Sequence, residues 1–282
     1  MERGSCLISH EDLAAYEAKW REPIISFFKN YKIIGMPPVS SGGVALAQLL
    51  KMVEPYPVAD WGWNSSQTTH LMVEAERRVY ADRATHLGDP DFHNVPVAGL
   101  IDSLYLIERM SDFTQNGITP SDNVSAGAPA PAESEETTHF SVVDEYGNAV
   151  SITTTLNGGY GSKVVVGEAG FLLNNEMDDF SSKPGVPNMF GLVGGEANAI
   201  QGGKRMLSSM TPTIVEKDGQ LHMVVGTPGG ATIITSVFQT IMNVVEHNFT
   251  MQGAVSAPRF HHQWKPTYTR YHEGAFSEET IQ

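Results

Sequence analysis

Hydrophobic residues recur at helical spacing through the first part of the chain. The longest such pattern covers residues 65–87, where an apolar residue returns at every fourth position from Leu71 to Val79. On this helix, Glu74 and Arg77 are expected on the side that faces water. Two further helices are predicted, one over residues 44–53 and one beginning after a capping box at Ser9. The pattern therefore predicts a mainly helical segment up to residue 119.

From Thr137 onward the pattern changes from helical spacing to alternation. The runs HFSVVD and NAVSITTT flank a turn at residues 145–147, and PTIVE and LHMVV flank another at residues 217–219. Each pair predicts a β-hairpin, because alternating residues point to opposite faces of a strand. An apolar helix is predicted over residues 233–245. Strands followed by a helix indicate a layered domain of sheet and helix, so the expected fold class is α/β (α+β).

Between these two parts, residues 120–136 read PSDNVSAGAPAPAESEE and contain almost nothing to bury. Proline, alanine, serine and acidic residues in such a stretch are typical of a flexible linker. The chain is therefore divided into a mainly helical segment over residues 1–119, an acidic linker over 120–136 and a strand-rich segment over 137–282.

Composition excludes several classes of protein. The 282 residues include 32 acidic and 18 basic side chains, and the formal net charge of −14 disfavours a nucleic-acid binder. The single cysteine, Cys6, cannot form an internal disulfide bond or a cysteine-rich metal site. No apolar run approaches the roughly 20 residues needed to span a membrane, and no apolar signal core follows Met1. His261 and His262 are expected to be structural or surface residues, and no metal site is predicted.

The junction between Glu136 and Thr137 is the most informative chemical feature. If the peptide bond before Thr137 were cleaved, this residue would carry both a hydroxyl and a free α-amine. Such an amine has an ordinary pKa of about 7.7–8.0, so it can act as a base for the neighbouring hydroxyl near neutral pH. The alternative is that Thr137 and Thr138 only begin a strand, where threonine is common. The spacing alone favours this structural alternative.

Four long motifs carry a family resemblance, and they occur in the order TTHFSVVDEYGNAVSITTTLN, GFLLNNEMDDFSSKPGVPNMFGLVGG, KRMLSSMTPTIV and GTPGGATIITSVFQ. They closely resemble the γ-glutamyltransferase family, also called γ-glutamyltranspeptidase or glutathione hydrolase. The upstream motifs MPPVSSGGVALAQLL and YADRATHLGDPDF resemble the end of that family's large subunit.

The resemblance implies the αββα four-layer sandwich of the N-terminal-nucleophile hydrolases. It also implies a precursor that cleaves itself before a catalytic threonine and gives two subunits that stay associated. Because the resemblance begins partway through the large subunit and lacks the last strands, the fold is expected to be incomplete at both ends.

The same resemblance implies a role for each matching residue. Cleavage would occur between Glu136 and Thr137. Four residues would act in catalysis: Thr137 as the nucleophile, Thr155 as the residue that orients it, and Gly229 and Gly230 as backbone donors to the oxyanion. Five would bind the substrate: Asn157, Ser208 and Ser209 at its α-carboxylate, and Glu176 and Asp179 at its α-ammonium group. Phe190 would lie in a lid, where relatives often carry tyrosine.

The expected function is therefore γ-glutamyl transfer and hydrolysis, with glutathione or related compounds as donors and with water, amino acids or peptides as acceptors. No cofactor is expected, and the resemblance implies a periplasmic or extracellular location. Two alternatives stay open. One is a β-lactam (cephalosporin) acylase of the same fold. The other is a non-catalytic fragment or storage-type protein that keeps the motifs without a complete site.

Overall fold

The computed structural model describes residues 7–125 and 137–281. Their strands are β1 (Ile24–Phe28), β2 (Tyr31–Gly35), β3 (Thr138–Val143), β4 (Ala149–Thr154), β5 (Thr213–Lys217), β6 (Gln220–Val225), β7 (Phe260–His261) and β8 (Arg270–Tyr271). Their α-helices are α1 (His10–Ala15), α2 (Gly42–Val53), α3 (Val58–Trp61), α4 (Ser66–His86), α5 (Val97–Leu100), α6 (Ser103–Arg109), α7 (Ile233–Val245), α8 (Met251–Ser256) and α9 (Glu278–Ile281). Short 3₁₀ helices cover Glu176–Asp179, Glu196–Asn198 and Gly230–Thr232.

An antiparallel sheet joins the segments that lie on either side of residues 126–136. Its spatial order is β1-β2-β5-β6, so the β1–β2 hairpin from the first segment pairs with the β5–β6 hairpin from the second. At the join, Ile33 lies opposite Val215, and both side chains are buried. The β5–β6 hairpin confirms the turn predicted at residues 217–219, whereas β1 and β2 were not predicted from the sequence.

Helices α2, α4 and α7 pack with this sheet in the main hydrophobic core. The first turn of α2 lies directly against the chain that leaves β2. A β-carbon at Gly43 would lie only 2.3 Å from the carbonyl oxygen of Met36, so only glycine allows this approach. Helix α4 begins after Ser65, whose hydroxyl accepts a hydrogen bond from the Thr68 N–H. The observed bounds of α2, α4 and α7 agree closely with the predicted ones.

The side of α4 that was expected to face water is buried. Glu74 and Arg77 are 1% and 5% exposed, so the expectation for both residues was wrong. Glu74 forms ion pairs with Arg77 and with Arg78, and Arg78 also pairs with Asp112 at 2.6 Å. Paired charges can be buried in this way, and the spacing of apolar residues does not reveal it.

Strands β3 and β4 form the other predicted hairpin, with Thr138 opposite Thr154 at its open end. Ser151 holds the hairpin to the sheet, since its hydroxyl accepts a hydrogen bond from the Thr213 N–H at 3.1 Å and donates one to the Val225 carbonyl at 3.3 Å. The hairpin therefore has a fixed position, and the residues that flank its open end are brought together.

The remaining helices are short. Helix α1 begins at the predicted capping box, in which Ser9 and Asp12 exchange hydrogen bonds, but it ends at Ala15. Within residues 7–125 and 137–281, no helix combines the length and the apolar character needed to cross a bilayer.

Candidate active site

One small cavity brings together most of the residues to which the sequence assigns a role. It lies between the open end of the β3–β4 hairpin, the 3₁₀ helix Glu176–Asp179 and the start of α7. Eight of the predicted residues line it: Thr137, Thr155, Asn157, Asp179, Phe190, Ser208, Ser209 and Gly230. The rest of its lining is Leu192, Met210 and Ile233.

Three predicted residues lie outside this lining. Glu176 faces a neighbouring groove of about 980 Å³, which shares Ser208 and Met210 with the cavity. Gly229 immediately precedes Gly230 in the backbone. Glu136 lies outside the described residues.

Thr137 and Thr155 lie next to each other because of the register of the hairpin. Thr137 immediately precedes β3 and Thr155 immediately follows β4, and the pair Thr138–Thr154 closes the hairpin between them. The Thr155 hydroxyl accepts a hydrogen bond from the Asn157 N–H at 2.8 Å, which fixes the chain where it leaves β4. Thr137 is half-buried, so its hydroxyl has access to the cavity.

Asn157 turns the chain toward the acidic segment. It is buried and has a φ of 73°, a left-handed conformation that asparagine tolerates better than most residues. Its side-chain amide donates to the Asn175 carbonyl at 3.2 Å, and the Asn175 side chain accepts from the Gly158 N–H at 2.9 Å. These bonds hold the chain after β4 against the start of the 3₁₀ helix Glu176–Asp179.

Two of the three acidic residues of this helix, Glu176 and Asp179, have raised pKa values. Burial is the main cause that raises the pKa of Asp179 to about 7; Glu176 raises it further, and the nearby guanidinium of Arg83 partly opposes the shift. Burial also raises the pKa of Glu176 to about 7. A bound cation would favour the ionised form of both groups, so this part of the site is suited to an ammonium group.

Ser208 and Ser209 lie on a segment that is fixed by the loop before α2. The Ser208 carbonyl accepts hydrogen bonds from the N–H and the hydroxyl of Ser41, at 2.8 and 2.7 Å. The Ser208 hydroxyl accepts from the Met210 N–H at 3.0 Å, and the Ser209 hydroxyl accepts from Arg83 at 3.0 Å. Both serine side chains therefore have fixed positions at the wall of the cavity.

Gly229 and Gly230 form the turn that leads into α7. Their φ values are 135° and 48°, a region that disfavours other residues. The turn is supported by Tyr80 of α4, whose hydroxyl donates to the Ala231 carbonyl at 2.5 Å. Backbone N–H groups at the start of this helical segment are well suited to stabilise a negative charge.

Phe190 and the two adjacent histidines have defined structural contacts. Phe190 is buried, and its carbonyl accepts a hydrogen bond from Gln263 at 3.2 Å. His261 and His262 are buried too, and burial lowers the pKa of each to about 3, so both are neutral. Across residues 7–125 and 137–281, no group of three or more histidine, cysteine or acidic residues is placed to hold a metal ion.

Comparison with known proteins identifies the family of this chain. The sequence model of the gamma-glutamyltranspeptidase family matches residues 1–282, the whole chain. The chain belongs to the γ-glutamyltranspeptidase family.

Members of this family are similar along the entire chain. The glutathione hydrolase proenzyme of Escherichia coli K12 is 48% identical over 281 residues, which cover 100% of this chain and 48% of that protein. The glutathione hydrolase proenzyme of Pseudomonas aeruginosa is 50% identical over 275 residues, which cover 97% of this chain and 49% of that protein. The chain therefore spans about half the length of these relatives.

The fold agrees with this assignment. The crystal structure of a cephalosporin acylase from Bacillus halodurans matches with a TM-score of 0.76 and 25% identity, over 93% of this chain and 44% of that one. The prediction of a mixed helix-and-sheet fold of the N-terminal-nucleophile hydrolase type is thereby confirmed.

Sequence analysis missed two residues that support the wall of the cavity. Arg83 and Ser41 belong to the motifs YADRATHLGDPDF and MPPVSSGGVALAQLL, to which no role had been given. In the structure Arg83 contacts Ser209 and Ser41 contacts Ser208, each across more than 120 residues of sequence. Both residues lie in motifs that the sequence analysis quoted, but nothing in the spacing of those motifs indicated which serine each residue would contact.

Proposed function

We propose that the protein catalyses γ-glutamyl transfer and hydrolysis, with glutathione or a related γ-glutamyl compound as donor. One observation carries this proposal: Thr137, Asp179 and the Ser208-Ser209 pair line the same cavity. A γ-glutamyl group has an amide at one end and an amino acid zwitterion at the other. The cavity offers a hydroxyl for the amide, a carboxylate for the ammonium group and hydroxyls for the carboxylate.

The first step is hydrolysis of the peptide bond between Glu136 and Thr137. The Thr137 hydroxyl attacks the carbonyl carbon of Glu136, the C–N bond breaks and frees the α-amine of Thr137, and water then hydrolyses the resulting ester. During turnover this amine accepts the proton of the Thr137 hydroxyl while the oxygen attacks the γ-carbonyl carbon of the donor. The N–H groups of Gly229 and Gly230 stabilise the oxyanion, and the loss of one such donor typically costs about 2.7–4 kcal/mol. The C–N bond then breaks, the proton passes to the leaving amine, and an ester to Thr137 remains.

In the second step water or the amine of an amino acid or peptide attacks this ester. The threonine amine again accepts and returns the proton, so the site is restored without any cofactor. Thr155 orients the nucleophile through its place beside Thr137. Asp179 and Glu176 hold the α-ammonium group, and Phe190 covers the cavity.

The main competing function is that of a β-lactam acylase, because a cephalosporin acylase has a similar structure. Asp179 favours the γ-glutamyl function, since a buried carboxylate in the cavity suits an α-ammonium group that glutaryl substrates lack. In the natural protein we expect turnover of γ-glutamyl-p-nitroanilide and little turnover of glutaryl-p-nitroanilide. Asp179→Ala should lower kcat/KM for the γ-glutamyl compound by a factor equivalent to several kcal/mol and leave kcat/KM for the glutaryl compound almost unchanged. Equal losses with both substrates, or a preference for the glutaryl compound, would contradict the proposal.

Further parts of the proposal concern the cell and the subunits. Membership of the family supports a periplasmic or extracellular location. In that location glutathione is the proposed donor. The segments before and after the cleavage site act as two subunits of one enzyme. Processing of the precursor is supported by the proenzyme names of the two relatives.

A further inference from the structure

Arg83 is a buried cation that contacts Ser209, a residue of the cavity wall. It lies on α4, is 4% exposed, and donates from Nε to the Ser41 hydroxyl and from Nη2 to the Ser209 hydroxyl, both at 3.0 Å. It is also close enough to Asp179 to attract its carboxylate. A buried arginine that ends on two serine hydroxyls instead of a carboxylate calls for an explanation, since buried charges are usually paired.

The direction of these hydrogen bonds follows from the chemistry of the guanidinium group. Arginine has only donors, so each serine oxygen must accept from Arg83 and direct its own hydrogen elsewhere. Ser41 directs its hydrogen to the Ser208 carbonyl at 2.7 Å. The Ser209 hydroxyl has no hydrogen-bond acceptor among residues 7–125 and 137–281, and its side chain lines the cavity.

We infer that Arg83 is a positioning residue that makes the Ser209 hydroxyl a hydrogen-bond donor toward a carboxylate bound in the cavity. Its bond to Ser41 also fixes the segment that carries Ser208. Arg83 thereby selects substrates with an α-carboxylate without touching them. This inference deepens the proposed function and rests on it, because it takes the bound anion to be the α-carboxylate of a γ-glutamyl group.

The inference is tested with two substrates that differ in one group. γ-Glutamyl-p-nitroanilide carries the α-carboxylate, and 4-aminobutyryl-p-nitroanilide lacks it but keeps the amine. In the natural protein, Arg83→Met should raise KM for the first compound about 10- to 100-fold, the effect of one hydrogen bond to a charged group, and change KM for the second much less. Arg83→Lys keeps a charged donor and should restore part of the loss.

A double-variant comparison separates positioning from general support of the fold. If Arg83 acts through Ser209, Arg83→Met should add little to the effect of Ser209→Ala on the γ-glutamyl substrate. Arg78→Lys is the matched control, because Arg78 is a buried arginine on the same helix that bonds only groups outside the cavity. It should lower stability without changing the ratio of KM values between the two substrates. Equal losses on both substrates, or effects of Arg83→Met and Ser209→Ala that multiply, would overturn the inference.

Binding measurements make the test independent of turnover. L-glutamate should raise the unfolding temperature of the natural protein more than 4-aminobutyrate does, and Arg83→Met or Arg83→Lys should reduce this difference. If the natural protein discriminates in this way, the Arg83 variants lose that discrimination, and the natural protein fails to cleave the γ-glutamyl anilide, the proposed function is contradicted and the role of Arg83 at a carboxylate site is supported. A natural protein that cleaves the anilide, with no change in discrimination in either variant, would leave the function standing and refute the role of Arg83.

Discussion

At the scale of single residues, the strand pairing of neighbouring residues determines where Thr137 lies. It lies beside Thr155 because Thr138 pairs with Thr154, and Thr137, Thr155 and Gly230 line the same cavity. The proposed nucleophile and one of the two proposed oxyanion donors therefore lie at the same cavity.

Substitution of Thr137 should abolish both self-cleavage and turnover. In the natural protein, Thr137→Ala is expected to remain uncleaved and inactive, because alanine has no hydroxyl for either step. Thr137→Ser should keep part of both activities, and Thr138→Ala should be much milder because adjacent residues of a strand point to opposite faces. Gel electrophoresis and N-terminal sequencing of the smaller product check this. A product that starts at Thr138, or cleavage of Thr137→Ala, would contradict the assignment.

Asp179 should make the stability of the free protein depend on pH. Its pKa rises from an ordinary 3.8 to about 7 on folding, so the folded state binds this proton more tightly than the unfolded state does. The free energy of unfolding should therefore fall as the pH rises from about 4 to about 7. Asp179→Asn cannot ionise and should lose less stability over this interval. Urea unfolding of both forms at pH 5 and pH 8 measures the difference, and identical slopes would refute it.

Residues that line the cavity could be predicted as a group because they lie in long motifs, but their contacts with distant parts of the chain could not. The motifs identified Thr137, Asp179, Ser208 and Ser209, and the cavity contains all four. Arg83 was missed because the role we infer for it depends on a contact with Ser209, and a motif carries no information about which distant residue a side chain contacts.

At the scale of elements, α4 is a helix whose polar residues form part of the core. Glu74 accepts hydrogen bonds from Arg77 and Arg78, and Arg78 continues to Asp112 and Thr119. The cluster ties α4 to the chain after α6, so the face of α4 that was expected to be exposed to water is buried.

Breaking this cluster should destabilise the protein strongly. Glu74→Gln removes the negative charge, which leaves the buried Arg77 without an acidic partner and Arg78 with only Asp112. Removing one partner of a buried ion pair costs about 3–5 kcal/mol. Lys51→Gln is the control, since Lys51 forms a more exposed ion pair with Glu54 and should contribute at most about 1 kcal/mol. Urea unfolding of both variants gives the comparison. A loss for Glu74→Gln no larger than that for Lys51→Gln would show that the cluster is dispensable.

Elements defined by local pattern were predicted, and elements defined by distant pairing were not. Helices α2, α4 and α7 and the two later hairpins follow from apolar spacing and turn residues close by in sequence. Strands β1 and β2 are short, and β2 completes its hydrogen bonding with β5, more than 170 residues away. No local signal reports such a partner.

At the scale of the whole molecule, the central sheet connects the segments on either side of the proposed cleavage site. Strand β2 belongs to the first segment and β5 to the second, and Lys32 and Glu216 form an ion pair across the join at 3.0 Å. Ile33 and Val215 are both buried where β2 meets β5, a contact that we call the β2–β5 seam. After cleavage, backbone hydrogen bonds and apolar packing at this seam would hold the two pieces together.

The two pieces should therefore remain together after cleavage. In the natural protein, both should co-elute in size-exclusion chromatography at physiological salt and separate only in denaturant. Ile33→Asp would place a charge in the seam and should release the pieces or prevent their association. Ile25→Asp is the control, because Ile25 of β1 is 41% exposed and tolerates a charge better. Equal release by both substitutions would show that the seam does not hold the pieces.

The pairing of β2 with β5 also makes refolding before cleavage different from refolding after it. While the chain is continuous, the two strands are tethered, and closing the long loop between them costs free energy that grows only slowly with loop length. After the bond before Thr137 is cut, the tether is gone and the same strands must meet by diffusion, so their effective concentration falls to that of the dissolved pieces. Refolding then becomes a bimolecular reaction that depends on dilution. The mature enzyme would keep a structure that it reached as one chain and that, once lost, it could regain only at high concentration.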